Sequence, residues 1–201
     1  VSHDLRNPLS VAMGRVDLAR EERDVDHLDD AAQALERMRT LIDDLLTLAR
    51  EGASPDDITT VDIRELVEDC WNTVDTRAAT LINEIDGDVD ADEGRLRQLF
   101  ENLIRNAVEH GGEDVTVRIG AMPDGFYVED DGPGIPEQDR SHVFDAGFST
   151  ANDGTRFGLS IVNRVVEAHG WEIRVTDGEA GGARFEITGV DVDSDDGDAA
   201  H

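Results

Sequence analysis

The sequence predicts an α+β chain in which a two-helix hairpin, read as half of a dimeric four-helix bundle, precedes an α/β sandwich built on one mostly antiparallel sheet. Three observations predict it. Over the first fifty residues, apolar side chains recur at steps of three and four, and the pattern stops at a stretch holding Gly, Ser, Pro and Asp together. The rest of the chain mixes short period-two runs with longer helical runs. The length, 201 residues, suits one ordinary domain plus a smaller module.

In the first helix Leu5, Leu9, Ala12, Val16 and Ala19 share a face. A charged connection from Glu21 to His27 follows, and then Leu28, Ala31, Leu35, Met38, Ile42, Leu45 and Ala49 hold an a/d seam. A hairpin of this length has too little core to stand alone. Its seam predicts a homodimer through residues 1–51, the alternative being packing against the rest of the chain. Residues 52–60 read as a linker, and 61–190 as the second domain.

Within that domain, residues 61–75 read as a helix with Ile63, Leu66, Val67 and Val74 on one side. Leu81 to Ile85 is a short strand, and Asp92 caps a long helix over Glu93 to Glu109 whose apolar face runs from Leu96 to Ala107. Val115, Val117 and Ile119 alternate, as do Phe126 and Val128. A helix over Leu159 to His169 ends at Gly170, and two further strands centre on Ile173 and Phe185. Residues 191–201 are acidic and poor in large apolar groups, which predicts a disordered tail.

The chain carries 18 basic and 47 acidic side chains, a net charge of −29, and so offers no basic track for a nucleic acid. It has no lysine, which excludes a phosphate loop of the GxxxxGK type and a Schiff-base lysine. Cys70 is alone, which excludes an internal disulfide and a cysteine-cluster metal site. No run of apolar residues is long enough to cross a membrane, and Val1 in place of Met leads us to expect a longer parent polypeptide. Acidity spread over the whole chain resembles the composition of halophilic archaeal proteins, in which salt screens the repulsion.

Four segments carry chemistry. The chain opens VSHDLRNPLS. His3 and Asn7 lie one helical turn apart, outside the Leu5–Leu9 seam, and Pro8 bends the helix beside them. A carboxylate on one imidazole nitrogen, such as that of Asp4, fixes the other as the free, nucleophilic one. In NLIRNAVEHGG, Asn102 and Asn106 are i and i+4, and their amides can offer oxygen ligands to Mg²⁺ and hydrogen bonds to phosphate. In EDDGPGIP, a carboxylate at a strand end can accept from the exocyclic amine of adenine, while a guanine carbonyl there would be repelled. Two glycines let the backbone approach a base. Finally VFDAGFST and NDGTRFGLSIV form a loop of small and polar residues before a helix whose first N–H groups can face phosphate.

SHDLRNPL resembles the phosphoacceptor box of sensor histidine kinases of two-component systems. The other segments resemble that family's N, G1, F and G2 boxes, in the family's order over residues 2–162. The resemblance implies an ATP-binding sandwich similar to those of gyrase and the Hsp90 chaperone. It implies that His3 receives the γ-phosphoryl group of ATP, that Asp4 assists as general base, and that Asn7 orients a water for dephosphorylating the partner. It also implies that Asn102 and Asn106 hold Mg²⁺, with His110 nearby. Asp131 would read adenine, with Gly132, Gly134 and Ile135 around the ring, and Phe148, Thr150, Gly154, Thr155, Arg156, Phe157, Gly158 and Leu159 would cover the triphosphate. The implied partner is a response regulator receiver domain. ATP use implies a cytosolic place for this portion, with membrane contact only through a missing sensor portion.

Two positions depart from the family pattern. Glu109 stands where most members carry a cation, shifting the phosphate counter-charge to Mg²⁺, His110 or an arginine. Arg156 replaces a glycine of the last box, so either the lid conformation changes or this arginine supplies the missing charge. These departures suggest another class of function, a dimeric scaffold with a degenerate ATP pocket; a further one is an ATP-driven clamp without phosphohistidine, against which the His3 box argues.

Overall fold

The computed structural model describes residues 58–145 apart from 77 and 113, residues 158–193, and the single positions 13, 16, 35 and 38. The chain divides into two compact units, Val1–Glu51 and Gly52–His201. In the first unit the four described residues are all helical. Val16 and Met38 are half-buried, while Met13 and Leu35 are exposed. The other seam positions, and His3, Asp4 and Asn7, lie outside the described residues.

The second unit opens with β1 (Ile58–Asp62), whose last residue starts the first helix, α1 (Ile63–Thr73). The Asp62 side chain accepts the N–H of Glu65 at 2.9 Å, which satisfies an orphan donor of the first turn. Strands β2 (Thr80–Asn83) and β3 (Asp88–Asp92) follow. Asp92 caps α2 (Glu93–Gly111) by accepting from the N–H of Arg95 at 3.1 Å, as the sequence predicts. Then come β4 (Thr116–Met122) and β5 (Gly125–Asp130), α3 (Gly158–His169), β6 (Glu172–Asp177), β7 (Ala183–Thr188) and β8 (Val192–Asp193). Gly170 ends α3 at φ +75°, with its own N–H on the Glu167 carbonyl and that of Trp171 on the Val166 carbonyl. This pair of bonds is a Schellman closure, and its left-handed residue is the one the sequence marks.

Five strands form the main sheet in the order β2-β4-β5-β7-β6. Only the β2–β4 pair is parallel. Alternate residues of the central strands point into the core, among them Val117, Ile119, Phe126, Val128, Phe185 and Ile187. α2 packs against α1 and α3, and its Phe100 meets Phe126 of β5 with ring centroids 5.3 Å apart. Burying one such ring is worth roughly 1.5–3 kcal/mol, so this contact fixes α2 over β5. The opposite face of the sheet is polar. There Arg184 donates to Glu129 at 3.0 Å and to Glu186 at 2.9 Å, and its guanidinium covers the Tyr127 ring at 3.6 Å.

A second, three-stranded sheet, β1-β3-β8, departs from the one-sheet expectation. Residues 58–60, expected in the linker, begin β1 and pair with β3. Only Val61 of that strand is buried, so its composition resembles a loop. β3 alternates Val89 and Ala91 inward with aspartates outward, and aspartate is a poor strand former. Val192 and Asp193 pair with β3, so the fold extends past the expected start of the tail at 191.

Candidate functional site

Period two along β5 sets the site. Phe126 and Val128 face the core, so Asp130 falls on the same face at the strand's end, and it is 8% exposed. Its Oδ1 accepts the N–H of Gly132 at 2.9 Å and that of Ala183 at 3.2 Å. Both of these bonds land on Oδ1, which leaves Oδ2 for the cavity that Asp130 lines. Burial pushes this carboxyl above its ordinary value, against the pull of the two backbone N–H groups.

The cavity, about 190 Å³, is walled by α2, the end of β5 with the loop after it, the first turn of α3 and the start of β7. Close backbone approach makes it. Gly134 has φ +73°, and a side chain at Gly182 would begin 1.9 Å from the carbonyl oxygen of Asp130. Only glycine fits there, so β7 can close on the carboxylate. Arg140 braces the loop by donating to the Ile135 carbonyl at 2.9 Å while also bonding Asp177 at the end of β6.

Of the residues singled out from sequence, Asn102, Asn106, His110, Gly134, Ile135, Gly158 and Leu159 meet at this cavity. Gly132 contributes through its N–H to Asp130. Phe148, Thr150, Gly154, Thr155, Arg156 and Phe157 lie outside the described residues. Asp131 is a correction: it is exposed, it does not line the cavity, and its Oδ1 accepts from the N–H of Thr116 at 2.7 Å. The carboxylate at the cavity is its neighbour Asp130, and extending the Phe126–Val128 alternation by one step finds it. Sequence reasoning also missed Gly182 and Ala183, which reach the site only by packing on Asp130 some fifty residues earlier, and Arg140, which bonds the Ile135 carbonyl.

Asn102 is buried rather than solvated, and its Nδ2 donates to the Gln98 carbonyl at 2.8 Å, which leaves its amide oxygen as the free acceptor. Asn106 sits one turn on and lines the same wall. Among the described residues no group of three or more His, Cys, Asp or Glu side chains could hold a metal by itself. Amide oxygens without a carboxylate cage fit an ion such as Mg²⁺ that takes most of its ligands from water and substrate phosphates.

A buried acid at a strand end, two amides on the facing helix and a helix amino terminus on one cavity are the parts of a purine-nucleotide site in an α/β sandwich. The comparisons agree. Residues 91–192 match the family described as histidine kinase-, DNA gyrase B-, and HSP90-like ATPase, and residues 1–54 match the His Kinase A (phospho-acceptor) domain. The chain belongs to this ATPase family. It is 34% identical to the sensor histidine kinase AruS of Pseudomonas aeruginosa over 92% of this chain and 21% of that protein. It is 29% identical to the adaptive-response sensory kinase SasA of a Synechococcus species over 92% of this chain and 56% of that one. The chain thus spans from about a fifth to just over half of these relatives. Among solved structures, full-length ShkA in complex with AMPPNP aligns over 96% of this chain and 45% of its own, at TM-score 0.66 and 28% identity.

Proposed function

We propose that this chain is the catalytic core of a sensor histidine kinase, which phosphorylates His3 from ATP and passes the phosphoryl group to an aspartate of a response regulator receiver domain. The observation that carries the reading is the buried Asp130 carboxylate, held by two backbone N–H groups with one oxygen left to the cavity beside Asn102 and Asn106. That oxygen accepts from the adenine amine, and a guanine carbonyl in the same place meets a like-charged acceptor. Asn102 and Asn106 would hold Mg²⁺, which would supply charge neutralisation at the phosphates. The first turn of α3, at Gly158 and Leu159, turns backbone N–H groups toward phosphate oxygens.

One ring nitrogen of His3 attacks the γ-phosphorus, the bond from that phosphorus to the bridging oxygen breaks, and ADP leaves with that electron pair. The proton on the other ring nitrogen passes to Asp4. Positioning and charge neutralisation supply most of the acceleration in such a transfer. The hairpin dimerises, which covers the seam that includes Val16, Leu35 and Met38 and brings two copies of His3 into one bundle. Asn7 orients the water that dephosphorylates the regulator. ATP use places this portion in the cytoplasm. No helix among the described residues is long and apolar enough to cross a membrane. The lysine-free, acidic composition suits a salty cytosol.

The test is incubation with γ-labelled MgATP in high salt. Wild type acquires acid-labile, base-stable label that a receiver domain removes, and His3→Gln acquires none. A scaffold with a degenerate pocket, which Glu109 on the cavity wall favours, predicts poor MgATP binding and no label. A clamp predicts ATP turnover with no label.

A further inference from the structure

We infer that Arg105 is the cation that meets the nucleotide's phosphates, one helical turn before the position where the family resemblance expects it. The inference rests on reading the cavity as an ATP site. Arg105 and Glu109 are i and i+4 on α2, so they share a face, and both line the cavity. Among the described residues the lining otherwise carries Asp130, Glu109 and Asp139, three carboxylates, and Arg105 is its only arginine. A polyphosphate entering this wall needs a permanent positive charge, and residue 109 supplies the opposite sign.

The state of Arg105 singles it out. Arg64, Arg95, Arg97, Arg118, Arg140, Arg174 and Arg184 each hold an ion pair, and Arg164 also has a partner. Arg105 alone among the described arginines has neither an ion pair nor a hydrogen bond, although it is half-buried. In a chain of net charge −29, carboxylate partners are abundant, so an unpaired guanidinium on a cleft wall is one kept for a ligand. Its planar fork of five N–H donors matches two phosphate oxygens at once. Exchanging the signs along one helix face thus keeps a cation at the phosphates, without lysine and without residue 109.

The test is the affinity of the full chain for MgATP and for adenosine, at one salt concentration, for wild type, Arg105→Gln and Arg105→Lys. A charge-assisted hydrogen bond is worth roughly 1.5–3 kcal/mol, or about 10- to 100-fold in affinity. Arg105→Gln should lose that much for MgATP and stay within about twofold of wild type for adenosine, with an unchanged melting temperature. Arg105→Lys should recover part of the loss, since the charge remains and the fork is gone. Unchanged MgATP affinity in Arg105→Gln overturns the inference. Equal losses for MgATP and adenosine also overturn it, because the guanidinium then serves the base or the fold. Wild type binding neither ligand sinks the underlying ATP reading instead.

Discussion

Replacing Asp130 with asparagine separates the function of the site from its cost. The amide oxygen can still accept the N–H groups of Gly132 and Ala183, at 2.9 and 3.2 Å in wild type. The other oxygen, the one left to the cavity, becomes an NH₂ donor facing the adenine amine. The loss is a charge-assisted hydrogen bond, about 1.5–3 kcal/mol, so the dissociation constant for MgATP should rise about 10- to 100-fold and the preference over GTP should shrink. Stability should move the other way. Burial holds the Asp130 carboxyl above its ordinary 3.8, so the folded chain favours the protonated form. That stabilising contribution is full below the ordinary value and is lost as pH rises through the folded one. At pH 7 wild type therefore carries the burden of a buried charge that asparagine lacks. Asp130→Asn should melt higher than wild type at pH 7, and the gap should close as pH falls toward the ordinary carboxylate range. Thermal melts across pH, paired with nucleotide titrations, make the measurement. A variant that melts lower at pH 7 and binds MgATP as wild type does would refute both halves of the reasoning.

Other perturbations have equally definite outcomes. Gly182→Ala puts a methyl group 1.9 Å from the Asp130 carbonyl oxygen, and the overpacking should cost about 1–3 kcal/mol in urea melts and weaken ATP binding with it. Arg184→Ala removes the shared partner of Glu129 and Glu186, whose side chains are 6% and 12% exposed, and leaves them Arg118 at 3.5 Å and Arg174; it should destabilise the domain by about 1.5–3 kcal/mol in the same melts while leaving adenosine affinity unchanged. Asn7→Ala should spare autophosphorylation and impair dephosphorylation of the regulator, which timed assays of both reactions resolve; equal loss of both would make Asn7 structural.

Long elements with their own periodicity and caps were legible in the sequence. The α2 helix shows its face from Leu96 to Ala107, its cap at Asp92 and its two asparagines within one segment, and Gly170 marks the end of α3 by local backbone chemistry alone. β3 was not legible, because alternating aspartates hide Val89 and Ala91, and β8 forms only by pairing with β3, about a hundred residues earlier. The site divides in the same way. Residues contributed by contiguous motifs, such as Asn106 and Ile135, could be read directly. The choice between Asp130 and Asp131 turned on which side of the strand each faces, a fact of register. Gly182 and Arg140 matter through contacts with residues some fifty and five positions away, and nothing local announces them.

The most direct test of the account is to place the phosphoryl group. Wild-type protein is incubated with MgATP and a dimer-permitting salt concentration, cleaved at arginine under alkaline conditions, and its peptides sequenced by mass spectrometry. The account predicts phosphate on the peptide Val1–Arg6, on the imidazole of His3 and absent from the Asp130→Asn sample at limiting ATP. An unmodified His3 in protein that demonstrably binds MgATP, or phosphate on another residue, would contradict it.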